Sequence, residues 1–231
     1  IMSSDWSSDV CSSDLLPSAE ADQVVQQTAE KIERRLEDDT LRRIEEAIGE
    51  LDLARKDLPD HETLRLWGVY LHNWHQIRFG DDKRHAGEAT KLLGSINLEE
   101  SEASIAPAAR ASKDLLALKV AKVIQGLKKR AKLSPESTAV LCEAHLSEGK
   151  ASAALRASKQ LSEADGGSVR ARYLRARAQR LAGDRDAAMA TLDELIQASP
   201  RHHDAVLLLV ELAMNANVIE DRERLETLRS E

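Results

Sequence analysis

The residues of this chain that could do chemistry most directly are histidines one helical turn apart. His72 and His75 are spaced i, i+3, and His61 and His85 lie nearby in the sequence. Two imidazoles at that spacing can share a metal ion, but a catalytic zinc site usually has three protein ligands and a structural site four. No HExxH motif and no cysteine pair accompanies them. We therefore expect surface or groove histidines and no bound metal.

Motifs that would indicate an enzyme are missing from the sequence. The Gly-x-Ser-x-Gly, P-loop and dinucleotide-binding fingerprints are absent. Cys142 falls at a packing position in the middle of a predicted helix, which favours a buried small residue over a nucleophile. We expect a protein that is not an enzyme and that carries no cofactor.

Aromatic side chains are concentrated in one window. Trp67, Tyr70 and Trp74 share a helix face at i, i+3, i+7, while Tyr173 lies far away in the sequence. An exposed set would form a platform for a peptide, whereas a buried set would be a core stripe between two flanking helices. Because aromatic residues bury large apolar areas, we favour the core and keep the platform as the alternative.

A basic helix is predicted over about 118–132. Opposite its apolar stripe lie six basic residues: Lys119, Lys122, Lys128, Lys129, Arg130 and Lys132. Such a face could meet an acidic protein, anionic lipid or nucleic acid. Nucleic acid is not expected, because no aromatic residues interleave to stack bases and the net charge of the chain is −7. We favour a solvated face and keep an anion-binding module as an alternative function.

The elements that must position these residues are helices throughout. Ala, Leu, Glu, Arg and Lys dominate, while aromatic residues make up only 3% of the chain. No apolar run approaches the length of a membrane span. Apolar spacing predicts helices, of which the fifth and sixth are either separate or fused, over about 19–37, 40–57, 61–78, 83–95, 107–117, 118–132, 136–148, 150–164, 168–182, 184–198, 202–216 and 218–229. The predicted fold class is all-α.

Residues thirty-four positions apart carry the same pattern. Gly149 matches Gly183 at this offset, and Ala154 matches Ala188. Repeated matches at one offset, with glycine between two helical patterns, indicate a helix–turn–helix repeat. Such a unit buries its apolar face by stacking on its neighbours.

This unit resembles the tetratricopeptide repeat, most clearly over 134–200. In the copy at 169–200, the alanine of the family falls on Ala188, its aromatic residue on Leu192 and its closing proline on Pro200. The copy departs from the family at the places of Trp, Leu and Tyr, which hold Arg172, Arg175 and Gln179. The resemblance is partial over 201–231 and weak before 134.

The resemblance implies a right-handed superhelical solenoid of about six antiparallel helix pairs, with divergent repeats over 16–133 and clearer repeats with a capping helix over 134–231. Its expected function is a non-catalytic protein–protein interaction scaffold that holds a protein or peptide segment in a concave groove. The candidate groove residues are Trp67, Tyr70, Trp74, Arg170, Tyr173, Arg177 and Arg180. The alternative is a helical regulatory or sensory region of a larger signalling enzyme whose N-terminal part is missing.

The arginines of this groove allow two interpretations. They could clamp an acidic peptide, as groove-lining residues of the family do. Alternatively, a shift of thirty-four positions aligns Arg177 with two glutamates and Arg170 with two carboxylates, namely Glu143 and Glu211, and Glu136 and Asp204. Because equivalent residues of successive repeats lie side by side, we favour two ladders of alternating charge.

The two ends of the chain carry their own expectations. Residues 5–15 resemble a translated sequencing adapter, so 1–15 is treated as an artefactual or disordered leader. This favours a bacterial gene assembled from environmental reads, whose upstream signal or anchor would be lost; the scarcity of cysteine favours the cytoplasm. At the other end, 206–214 is almost wholly apolar, so we expect 218–229 to cover it as a lid.

Overall fold

The computed structural model describes residues 18–80, 82–94 and 96–214, which form helices and no strand. The helices are α1 (Ser18–Leu36), α2 (Leu41–Asp57), α3 (Glu62–Phe79), α4 (Lys83–Leu93), α5 (Ala106–Leu116), α6 (Val120–Lys128), α7 (Pro135–Ser147), α8 (Ala151–Ala164), α9 (Val169–Leu181) and α10 (Arg185–Ala198). A further helix covers 203–214. The all-α class is confirmed for this part of the chain, whereas the expected leader and the lid at 218–229 lie outside it.

Polar capping residues fix where most of these helices begin. Thr40, Ser134 and Ser168 each accept a hydrogen bond from the backbone N–H three residues later. Such a cap satisfies a backbone donor that has no partner inside the helix, and it contributes about 1 kcal/mol. These local signals explain why the predicted starts agree with the structure to within a residue or two.

The turn between α5 and α6 is built like two other turns of the chain, with one difference. Leu118 and Lys119 donate backbone hydrogen bonds to the carbonyls three and five residues before them. The same two bonds close α7 at Gly149 and α9 at Gly183, where φ is 70° and 80°. Leu118 adopts φ 57° at the equivalent place. A side chain in this left-handed conformation costs about 1–2 kcal/mol, which is why glycine usually closes a helix in this way.

The first helices of successive pairs form a continuous row. Each of α1, α3, α5, α7 and α9 contacts the next, and each packs on its own partner, as in α3 with α4 and α9 with α10. Three of the second helices also contact the first helix that follows them: α2 contacts α3, α6 contacts α7 and α8 contacts α9. The first helices are thus covered on several sides and contribute most of the core.

The aromatic window lies on α3, a helix with a long run of buried residues. Trp67 is 2% exposed, and Tyr70 and Trp74 are fully buried in α3. The Tyr70 ring stacks on Trp74 with centroids 6.0 Å apart, and it meets Trp67 edge-on at 6.0 Å. The core interpretation of these residues is therefore confirmed.

The strained turn predicts a stabilising substitution. Leu118→Gly removes the cost of the left-handed side chain but adds freedom to the unfolded chain, so we expect a net gain of about 0.5–1 kcal/mol in the free energy of unfolding. Leu53→Gly is the matched control, since Leu53 is similarly exposed inside α2. That control is expected to lose about 1 kcal/mol. Urea denaturation measures both, and a loss of stability in Leu118→Gly would contradict the account of the turn.

Candidate functional site

A buried carboxylate joins the α1–α2 turn to α3. Asp39 is fully buried and adopts φ 47°. Its Oδ1 accepts a hydrogen bond from Trp74 Nε1 at 2.7 Å, and its Oδ2 accepts one from Arg78 Nε at 2.7 Å. Arg78 Nη2 also donates to Asp204 Oδ2 at 3.2 Å. One arginine thus connects the beginning of the described chain to its last helix.

The charge of Arg78 is secured by these neighbours. Its side chain is 4% exposed, and its guanidinium lies 4.6 Å from the centroid of the Tyr173 ring. Burial acts to lower the pKa of Arg78, but Asp39 and then Glu143 raise it above its ordinary value. Arg78 is therefore a permanent cation inside the protein, and removing the buried Asp39 carboxylate would leave that cation only partly compensated.

A second contact between the early and late helices of the described chain involves Arg170, in α9. Its backbone N–H donates to the carbonyl of Glu37, at the end of α1, at 2.9 Å. Its Nη2 lies 3.8 Å from carboxylate oxygens of Glu136 and Asp165. The side chain is only 2% exposed, and its Nε and Nη1 have no hydrogen-bond partner within the described residues. Arg170 is a buried connector rather than an accessible anion-binding residue.

The predicted pairs between α9 and α7 are confirmed in both charge ladders. Arg177 Nη1 donates to Glu143 Oε1, thirty-four residues earlier, and Arg170 lies beside Glu136 at the same offset. Neither is the exposed pair that the repeat pattern suggested. The Glu143 side chain is 7% exposed, and the Arg170–Glu136 pair is almost completely buried. Such pairs fix the register of α7 against α9 more than they add net stability.

The predicted pairs between α9 and the helix at 203–214 are wrong in both ladders. Glu211 pairs with Arg180 at 2.9 Å instead of Arg177, and Asp204 pairs with Arg78 instead of Arg170. The reason is a long-range approach that the repeat offset does not contain. The end of α3 reaches the start of the helix at 203–214, so its Arg78 takes the carboxylate that the ladder assigned to α9.

Few of the predicted groove residues are accessible in the structure. Buried positions are occupied by Trp67, Tyr70, Trp74, Arg170 and Tyr173. The Arg177 side chain is 29% exposed and paired with Glu143, and that of Arg180 is 47% exposed and paired with Glu211. In this conformation these side chains are buried or paired with carboxylates, so a partner segment cannot reach most of them.

The basic face, in contrast, is open to solvent. The exposed residues are Lys119, Lys122, Lys128, Lys129, Arg130 and Lys132. Lys122 pairs with Asp114 at 3.1 Å and reaches Glu99 at 4.0 Å, while the other five make no ion pair within the described residues. The apolar stripe of α6 is buried, as Val123 and Ile124 show.

The histidines expected at the surface are buried, which corrects that prediction. His72, His75 and His85 are each at most 7% exposed, because α4 packs against α3 and brings His85 over the other two. His72 Nδ1 lies 2.7 Å from His85 Nδ1, and the rings of His75 and His85 stack at 3.7 Å. Burial, followed by the proximity of His85, lowers the pKa of His72 to about 4. Burial is also the main cause that lowers the pKa of His75 and of His85.

Sequence reasoning missed an open crevice between distant parts of the described chain. A crevice of about 860 Å³ separates the α1–α2 turn and the first turn of α2 from residues 198–204. Leu41, Phe79 and Pro200 give it an apolar lining. Since the two walls come from opposite ends of the described chain, no local pattern could have identified the crevice.

Charged residues of both signs surround this apolar lining, three arginines and three carboxylates. Arg42, Arg201 and His203 line the crevice and are exposed, and Arg201 makes no ion pair within the described chain. The first turns of two helices, beginning after Thr40 and His202, also face it, and helix N-termini favour negative charge. Asp38, Glu45 and Asp204 balance the charges of Arg42, Arg43 and Arg201 in number. The arrangement suits a ligand with an apolar group and one carboxylate placed to meet Arg201.

Comparison with protein-family models, curated proteins and solved structures finds no match to this chain. The resemblance to tetratricopeptide repeats therefore stays a prediction from the residues. Within the described residues, no helix is both long enough and apolar enough to cross a bilayer. In the same part of the chain, no group of three or more His, Cys, Asp and Glu side chains is arranged to hold a metal ion.

The buried carboxylate predicts a strong and specific loss of stability. Asp39→Asn removes the charge that compensates Arg78, so we expect the free energy of unfolding to fall by about 3–5 kcal/mol. The neighbouring Asp38 is the control, because its 2.9 Å pair with Arg43 is 38–39% exposed on both sides. Asp38→Asn should cost at most about 1 kcal/mol. Equal losses in the two variants, measured by urea denaturation, would contradict this role of Asp39.

The buried histidines predict acid sensitivity above the range in which most carboxylates titrate. They stay neutral in the folded protein, whereas the unfolded chain takes up protons as the pH falls below about 6.5. Stability should therefore be complete above pH 6.5 and decline toward pH 4. His72 alone would contribute on the order of 3 kcal/mol at the lower limit.

Urea denaturation at pH 7.5, 6.0 and 5.0 measures this decline. His72→Gln removes one of the neutral imidazoles and should flatten the pH dependence. His203→Gln, at an exposed position, should leave its slope unchanged. A stability that is constant between pH 7.5 and 5.0 would contradict the prediction.

Proposed function

We propose that this protein is a non-catalytic interaction scaffold, a right-handed solenoid of antiparallel helix pairs that resembles tetratricopeptide repeats. The continuous row of first helices supports this proposal, as does the contact of α2, α6 and α8 with the first helix that follows each of them. Repeats of this kind stack on their neighbours and bind partners on extended surfaces. Because Arg170 and Arg177 of α9 pair with glutamates of α7, we place the proposed binding surface away from the row of first helices.

The crevice between the two ends of the array is the proposed binding site. The single observation that carries this choice is its composition: an open volume of about 860 Å³ with an apolar lining and an exposed Arg201 that makes no ion pair within the described chain. Pockets that hold ligands combine a mostly apolar surface with a few polar groups that fix orientation. Leu41 is 44% exposed at this site and is available as an apolar contact.

The partner proposed for this site is a peptide segment with one apolar anchor and a flanking carboxylate. Leu41 and Phe79 would contact the anchor, and Arg201 would meet a carboxylate. Arg42 is less available, since it already pairs with Glu46 at 2.8 Å. Arginine is well suited to such a contact because it can donate two parallel hydrogen bonds to one carboxylate.

A random-peptide display library, selected against the immobilised full chain, tests this function. Enriched sequences should combine a large apolar residue with Asp or Glu. A labelled synthetic copy should bind about tenfold more weakly to Leu41→Asp and to Arg201→Glu, measured by fluorescence anisotropy. Leu41→Asp is expected to fold, since an acidic residue in the first turn of a helix is favourable.

Leu53→Asp is the control for a general effect of placing a charge on α2. Leu53 is 59% exposed and does not line the crevice, so this variant should bind the peptide like the unaltered chain. Failure to enrich any peptide would contradict the scaffold function. Enriched peptides that bind all three variants equally well would keep that function and remove the crevice as its site.

A further inference from the structure

The corner between α5 and α6 displays a leucine where the fold favours glycine. Leu118 is 85% exposed, so its side chain gains little contact inside the protein. Its left-handed backbone is otherwise shared, among the described non-glycine residues, only with Asp39. Asp39 has two strong hydrogen bonds to offset that conformation. Nothing comparable within the described chain offsets the conformation of Leu118.

Strong positive charge surrounds this leucine. Between 113 and 132 the sequence has seven basic residues and one acidic residue, Asp114, although the whole chain carries a net charge of −7. Leu116, 36% exposed, lies next to Leu118 and adds apolar surface. The nine residues of α6 span about 14 Å, so basic side chains extend from beside Leu118 to the far end of that helix.

We propose that this corner is a docking surface for an anionic lipid bilayer, with Leu118 and Leu116 entering the interface and the lysines meeting the headgroups. An exposed apolar residue flanked by lysines combines the two contributions that peripheral membrane binding uses, apolar burial and attraction to anionic lipid. The acidic remainder of the chain does not prevent this, because salt screens charges beyond about 8–10 Å. The proposal is independent of the crevice.

An acidic peptide is the competing occupant, and the structure disfavours it. The nearby groove between α5 and α6, of about 410 Å³, is the concave place where a peptide could lie. Glu99 and Asp114 line that groove and already pair with Lys122. Leu118 does not line the groove, so a peptide lying there would leave Leu118 uncovered. A leucine that is 85% exposed fits a deformable surface better.

Co-sedimentation of the full chain with vesicles tests the proposal. We expect binding to phosphatidylcholine vesicles that contain about 30% phosphatidylserine, little binding to pure phosphatidylcholine, and a marked loss in about 0.5 M salt. Leu118→Gly should lower the partition coefficient at least about fivefold while leaving the fold intact. The double variant Lys119→Gln, Lys128→Gln should bind more weakly and depend less on salt.

Leu53→Ala removes another exposed leucine, 59% exposed in α2, and it should bind vesicles like the unaltered chain. Absence of binding to the phosphatidylserine vesicles would overturn the proposal, and so would a Leu118→Gly variant that binds them normally. Soluble polyglutamate serves as the probe for an acidic partner. Binding to polyglutamate without binding to vesicles would assign the basic face to an acidic protein instead.

Discussion

The charge of one buried arginine constrains how this helical array closes. Arg78 extends from the end of α3 and is held between Asp39 and Asp204, which belong to opposite ends of the described chain. A guanidinium that is almost completely buried is tolerated only beside carboxylates. The α1–α2 turn and the start of the helix at 203–214 must therefore both approach α3. The crevice between these turns, and the burial of Tyr173 beneath the guanidinium, follow from that requirement.

This closure limits which side chains of the first helices, α1, α3, α5, α7 and α9, are open to a partner. In an open array, the first helices would present polar side chains to a partner, as the arginines of α9 seemed to do from their sequence positions. Here Arg170 and Arg177 meet carboxylates of α7, and Arg170 also binds the end of α1 through its backbone. The charges that an external ligand could have used instead pair α9 with α7, which is why the proposed binding site lies elsewhere.

The helices could be predicted because their signals are local. Apolar spacing, capping by Thr40, Ser134 and Ser168, and the glycine turns at 149 and 183 each act within a few residues. The turn at Leu118 was harder to predict, since a leucine replaces the glycine that would mark it. The crevice and the Arg78–Asp204 pair depend on the summed packing of successive helices, which a repeat offset of thirty-four residues does not encode. For the same reason, the offset found Glu143 for Arg177 but assigned Glu211 to the wrong arginine.

Two non-glycine residues of the described chain, Asp39 and Leu118, adopt a left-handed backbone, and their side chains differ in what they contribute to the fold. At Asp39 the side chain offsets the conformation itself, because its two oxygens hold Trp74 and Arg78; glycine there would remove the constraint on which the closure depends. At Leu118 the two backbone bonds of the turn need no side chain, as Gly149 and Gly183 demonstrate in the equivalent places. The turn thus does not require the Leu118 side chain and its backbone disfavours it, which is the physical basis of the proposed contact with a bilayer.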